Sequence, residues 1–196
     1  MPRLFTGLEL PDNLSDELAL LRGGLPGAKW IEPEDYHLTL RFIGDIGDAM
    51  ANEVYDALSS IRRSAFTVTL EGLMTFGSDK PRAIVARARP TQELTELQQD
   101  HERAMRRLGL PAETRKFVPH VTIARLRNGS AVLAADWLGS RALLPKTFTV
   151  TNFVLFSSRA STGGGPYVSE ASFQLERSAF GGRFAAAGES PVNRSR

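Results

Sequence analysis

Cysteine is absent from the 196 residues, which excludes disulfides, thiol nucleophiles, iron–sulfur clusters and every thiolate zinc site. No stretch approaches the roughly 18 apolar residues of a membrane helix, and residues 1–10 lack the long apolar core of a secretory signal. The expectation is a cytoplasmic chain without a membrane partner. A dominant charge is missing too. The 24 Lys and Arg against 22 Asp and Glu leave +2, too little to coat duplex nucleic acid by neutralisation, although a slight basic lean suits a ligand carrying phosphate. With 42% hydrophobic and 23% charged residues, collagen-like and wholly disordered chains are excluded. The length fits one domain or two small, closely packed lobes.

Apolar periodicity alternates between strand and helix. Arg3 to Leu10 reads as an opening strand, and Leu14, Leu18, Leu21 and Leu25 share a helical face after Pro11-Asp12. Tyr36 to Ile43 reads as a strand, Met50 to Ile61 as a helix, and Ala65 to Leu73 and Ala83 to Ala88 as strands. A long helix after Pro90 carries the stripe Leu94, Leu97, Met105 and Leu108. Strand signals return at Pro119 to Leu126, a short helix at Ala131 to Leu138, and a final strand pair at Phe148 to Ser157 and Tyr167 to Leu175, joined through the glycines from Gly163. Residues 178–196 have few large apolar side chains and read as a flexible tail. The single domain is expected over 1–177.

Two words recur at almost the same offset. His37-Leu-Thr39-Leu returns as His120-Val-Thr122-Ile, 83 positions on, and Phe66-Thr-Val-Thr69 returns as Phe148-Thr-Val-Thr151, 82 positions on. A shared offset between different words is the trace of a duplicated half. The expected fold is α+β and bilobal: two pseudo-symmetric lobes with largely antiparallel sheets facing a central cleft, and helices outside. Such an internal two-fold needs no second chain, so a monomer is expected.

On a strand, side chains two apart share a face, so His37 projects with Thr39, and His120 with Thr122. Each lobe then offers the cleft one imidazole and one hydroxyl. The hydroxyls suit an anionic oxygen. The imidazoles can give or take a proton near neutral pH, so a neutral one could activate water while a protonated one supplies the departing oxygen. No HExxH or similar ligand cluster accompanies them, and no metal is expected.

These words resemble the two-histidine phosphoesterase superfamily, marked by paired HxTx words. The opening RLFTGLELP, Trp30, HLTLRFIGDI, FVPHVTIARL and NFVLFSSR with Tyr167 are similar in order and spacing to RNA 2′,3′-cyclic phosphodiesterases, formerly called 2′-5′ RNA ligases, over about residues 1–177. The resemblance implies hydrolysis of a 2′,3′-cyclic phosphate RNA end to a 2′-phosphomonoester without a cofactor. It implies that His37 donates a proton to the 3′ oxygen and His120 accepts one from water, roles that sequence symmetry leaves open. It also implies that Thr39, Thr122 and Arg125 bind the substrate. Simple alternation puts Arg125 on the face opposite His120, so its role requires a twist, a bulge or the strand's end. Alternative readings are action on another cyclic nucleotide, 2′-5′ joining of RNA, or a nucleotide-binding module without catalysis.

Other candidates have plainer assignments. His101 falls on the apolar stripe of the third helix and is expected to be packed. Phe42 shares parity with Leu38 and Leu40 and is assigned to the core, whereas Arg41 shares the cleft-facing parity of His37. Trp30 is expected to pack. The basic run Arg103, Arg106, Arg107, Arg115 and Lys116 is expected to be a solvated face.

Overall fold

A computed structural model describes residues 3–77, 79–127, 129–158 and 166–176. The tail expected over 178–196 and the glycines at 163–165 lie outside them. The elements run β1 (Arg3–Glu9), α1 (Asp12–Ala19), β2 (Ala28–Trp30), a 3₁₀ turn (Pro33–Asp35), β3 (His37–Asp45), α2 (Asp48–Ser59), β4 (Phe66–Phe76), β5 (Ala83–Ala88), α3 (Gln92–Arg107), β6 (His120–Leu126), α4 (Ala131–Gly139), β7 (Lys146–Val150), β8 (Asn152–Ser158) and β9 (Tyr167–Gln174). The class is α+β, and no helix among the described residues is long and apolar enough to cross a membrane.

The helices start and stop for local reasons. Thr91 caps α3 by accepting from the Leu94 amide, and Ser130 caps α4 by accepting from Leu133. Gly109, at φ 79°, lets the chain leave α3 in a conformation other residues resist. The first helix is shorter than its leucine pattern implies. It ends at Ala19, and Leu25 reaches the core from the loop beyond.

All strands join one sheet in the order β7-β4-β5-β6-β3-β1-β8-β9, with β2 added to β6. Every ladder between named strands is antiparallel. The segment expected as one strand from Phe148 to Ser157 divides at Thr151: β7 pairs with β4, and β8 pairs with β1. One residue therefore links opposite ends of the β7-to-β8 path, so the sheet curls back on itself. One side buries the main core, with Leu14, Leu18, Val54, Leu58, Leu94, Leu97, Met105 and Trp137 from the helices against Leu8, Leu38, Ile84 and Ile123 from strands. On the other side a small cluster of Phe5, Val154 and Phe156 packs with Tyr167.

Both sequence echoes become contacts. Leu38 pairs with Val121, its counterpart 83 positions on, and Thr67 pairs with Thr149, its counterpart 82 positions on. A residue paired with its own copy lies on a two-fold axis, so these ladders carry an internal two-fold relation.

Candidate active site

The first histidine word lies on β3 and the second on β6, adjacent strands joined at Leu38 and Val121. That antiparallel register sets His37 across from Thr122, and Thr39 across from His120. Leu38, Leu40, Val121 and Ile123 are buried, whereas both histidines and both threonines are only partly covered. Alternation thus turns four polar side chains to one face.

Each imidazole is oriented by a carbonyl two residues upstream. His37 Nδ1 lies 2.8 Å from the Asp35 oxygen, and His120 Nδ1 lies 2.7 Å from the Val118 oxygen. A carbonyl can only accept, so both Nδ1 atoms carry hydrogen and both Nε2 atoms are left for chemistry. Asp35 is itself held, its Oδ1 accepting from the Tyr167 amide at 2.9 Å. Gly7 fits the same construction, because a Cβ there would stand 2.9 Å from the Leu38 oxygen and 3.5 Å from the His37 ring.

The two rings have unlike surroundings. Phe5, Tyr167 and Phe156 approach His37 with centroids at 4.8, 4.9 and 5.6 Å. Among the described residues one ring, Phe76, lies against His120, edge-on at 4.6 Å. Burial pushes the His37 imidazolium down to about 4; the Asp35 carbonyl partly opposes this, and the charges of His120 and Arg125 add to it. His120 is also lowered, first by burial and then by Arg125, against the Val118 carbonyl. Arg125 therefore acts on both histidines, as expected of a surface prepared for an anion.

Arg125 reaches this face through a bulge. Across β5 and β6, Ile84 pairs with Ala124 and Val85 with Thr122, which leaves Ile123 unpaired and reverses the alternation beyond it. Across β1 and β3, Thr6 pairs with Arg41 and Gly7 with Thr39, leaving Leu40 unpaired. Leu40 and Ile123 are 83 positions apart, so the bulge is duplicated along with the histidine word. Two assignments made by simple alternation are consequently reversed. Arg41 is buried at 7% exposure, and Phe42 is 45% exposed.

Other candidates lie elsewhere. His101 is fully buried on α3, and Trp30 packs on Trp137 at 5.5 Å. Within the basic run, Arg103 pairs with Asp100 and Arg115 with Glu113. Among the described residues, no group of three or more His, Asp or Glu could hold a metal ion. The sequence reading missed Phe5, Phe76 and Phe156 around the imidazoles, and the two orienting carbonyls. The carbonyls had a detectable signal, since each histidine word follows a turn or loop whose backbone is free to bond a ring.

Residues 8–86 and 85–167 each match the family described as LigT like Phosphoesterase, and each match contains one histidine word. An RNA 2',3'-cyclic phosphodiesterase of Geobacillus stearothermophilus is 33% identical over 135 residues, covering 67% of this chain and 43% of the relative. Another, from Aeropyrum pernix, is 38% identical over 107 residues, covering 54% of this chain and 60% of the relative. The matches thus span about half the length of these two relatives. In fold, the chain is similar to E. coli LigT complexed with 3'-AMP, with a TM-score of 0.73 at 23% identity over 89% of this chain and 99% of that one.

Proposed function

Because the chain belongs to the LigT like phosphoesterase family, we propose that it hydrolyses 2′,3′-cyclic phosphate ends of RNA to 2′-phosphomonoesters by metal-independent acid–base catalysis on His37 and His120. Residues 1–177 form the catalytic unit in this reading. The observation that carries it is the matched pair of imidazoles on β3 and β6, both with Nδ1 tied to a carbonyl and Nε2 without a hydrogen bond among the described residues. The curated relatives named as RNA 2',3'-cyclic phosphodiesterases support the same substrate class.

In the proposed step, Thr39, Thr122 and Arg125 hold the non-bridging oxygens of the cyclic phosphate. His120 Nε2 takes a proton from water as the water oxygen bonds to phosphorus. The bond from phosphorus to O3′ breaks, and His37 Nε2–H gives its proton to that oxygen. The product keeps phosphate on O2′ and a free 3′ hydroxyl; proton exchange with solvent resets the histidines. The unlike surroundings support this division. His120 is the less enclosed by aromatic rings and suits a water molecule, whereas His37, with three rings against it, suits the departing oxygen.

The test is a chelator-treated assay on a short RNA ending in 2′,3′-cyclic phosphate, with the product's phosphate located and His37→Ala and His120→Ala run beside it. The expected result is a 2′-phosphate whose formation falls at least about 10³-fold in each variant, while both retain the wild-type melting profile. No turnover by folded wild-type protein would overturn the assignment.

A further inference from the structure

Three cations continue the histidine face beyond the catalytic pair. After the bulge at Ile123, β6 turns Arg125 onto that face. Strand β2 takes the place of β3 along the last residues of β6 and sets Lys29 directly across from Arg125. Residues paired across two strands project to the same side. The ladder runs one step further, because the Arg127 amide donates to the Gly27 oxygen at 3.3 Å. Arg127 therefore shares the side of Arg125, at a spacing of about 7 Å. Ala124 and Leu126 between them are buried, whereas Lys29, Arg125 and Arg127 are exposed. Among the described residues, none of the three is paired with a carboxylate. Like charges set directly across a ladder are destabilising, so the cluster does nothing for the fold, and an anion between them removes the repulsion.

The proposed reaction sets the direction from which an anion arrives. In-line displacement puts the entering water, at His120, and the departing O3′, at His37, on opposite sides of phosphorus. O3′ belongs to the terminal ribose, so the strand that continues 5′ from that ribose leaves on the His37 side. Two routes lead away there. One crosses β1, where Glu9 is paired with His37. On that flank Glu9, Glu34 and Asp35 border a cavity of about 180 Å³, and Glu9, Asp12, Asp16 and Glu34 border a second of about 450 Å³. These carboxylates repel a phosphate chain. The other route follows the strand axis past the row of His37 and Thr122, and on it lie Arg125, Lys29 and Arg127. A net charge of only +2 conceals this division, because the acidic and basic flanks offset one another.

We propose that Lys29 and Arg127 bind the phosphodiesters immediately 5′ of the terminal nucleotide, so that the site takes an RNA strand rather than a lone nucleotide; the inference rests on the cyclic phosphodiesterase reading. Exposed Lys and Arg side chains hold phosphate oxygens without reading bases, so the contact is indifferent to sequence. It gains affinity by releasing counterions, and it weakens as salt is added.

Titration calorimetry at several salt concentrations, with adenosine 2′-monophosphate and with the trinucleotide ApApA carrying a 2′-phosphate, tests this without turnover. For single strands the logarithm of the binding constant falls against the logarithm of salt with a slope of about −0.7 per neutralised phosphate. The trinucleotide is expected to give a slope steeper than the mononucleotide by about 1.4, one increment for each upstream phosphodiester. The double variant Lys29→Gln with Arg127→Gln should remove that difference, and Arg107→Gln with Lys116→Gln should keep it. Equal slopes for the two ligands in wild type, failure of the trinucleotide to bind at low salt, or a difference kept in the folded Lys29→Gln, Arg127→Gln variant overturns the proposal. So does a difference lost in Arg107→Gln with Lys116→Gln instead, because the strand then runs past the end of α3. Salt-dependent trinucleotide binding through Lys29 and Arg127 without turnover of cyclic RNA ends would leave the track standing and count against the phosphodiesterase reading alone.

Discussion

His37 and His120 share a sequence word and an upstream carbonyl partner, yet three aromatic rings approach the first and one the second. Burial brings the free His37 imidazolium to about 4, so at pH 7 about one molecule in a thousand carries the proton a donor needs. In the proposed reaction the cyclic phosphate supplies the correction, since a phosphate anion beside the ring favours its charged form. Two consequences follow from the sign. In kcat/KM, which reports the free enzyme, activity should fall about tenfold per pH unit above neutrality, because the charged fraction of His37 shrinks by that factor. The optimum in kcat should lie at higher pH, because the bound anion has raised His37. A pH–rate series from 5 to 9 checks both, and coincident optima would count against His37 as the donor. At this scale the common face of His37, Thr39, His120 and Thr122 was legible, because a period of two along one strand is a local property. The aromatic neighbours were not, because Phe5, Phe156 and Tyr167 come from three other strands.

Strands carry the more instructive discrepancy. Alternation counted from His37 assigns Phe42 to the core and Arg41 to the site, and the structure reverses both, as it does for Arg125. A bulge is one unpaired residue, and neither Leu40 nor Ile123 differs in character from its neighbours, so residue type gives no mark of it. The duplication did offer a clue: Phe42 and Arg125 both stand five residues after a histidine, and a buried arginine needs an acid such as Glu102. That pair anchors β3 to α3, and Glu102 also accepts from the Glu113 amide at 3.2 Å, in the segment that leads to His120. Arg41→Met should leave the Glu102 carboxylate without its cation and cost about 3 kcal/mol in urea unfolding. The double variant Arg41→Met with Glu102→Leu should recover part of that loss. Equal losses in the single and double variants would mean that the ion pair is not the source.

Across the whole molecule, the two-fold relation was legible because both repeated words fall where the halves meet, at Leu38 with Val121 and Thr67 with Thr149. The division of one apparent strand at Thr151 was not, because pairing partners are distant in sequence and Thr suits either strand. The shared core also holds a titratable group without a catalytic task. His101 is fully buried on α3, its Nδ1 donating to the Leu97 oxygen at 2.8 Å, its Nε2 without a partner and its ring edge-on to Phe153 at 4.5 Å. Burial lowers it to about 4, although the Leu97 carbonyl and the Asp100 carboxylate act in the opposite sense. In the unfolded chain it takes a proton near 6.5, so between those values the unfolded state binds more protons and acid favours unfolding. This contribution is intact above pH 6.5 and is lost as pH falls towards 4. His101→Leu, similar in volume and lacking the orphaned nitrogen, should lose about 2 kcal/mol less than wild type between pH 7 and pH 4.5. Urea unfolding at the two pH values measures the difference. Equal acid losses would show that the core opens to hydrate His101 before it is charged.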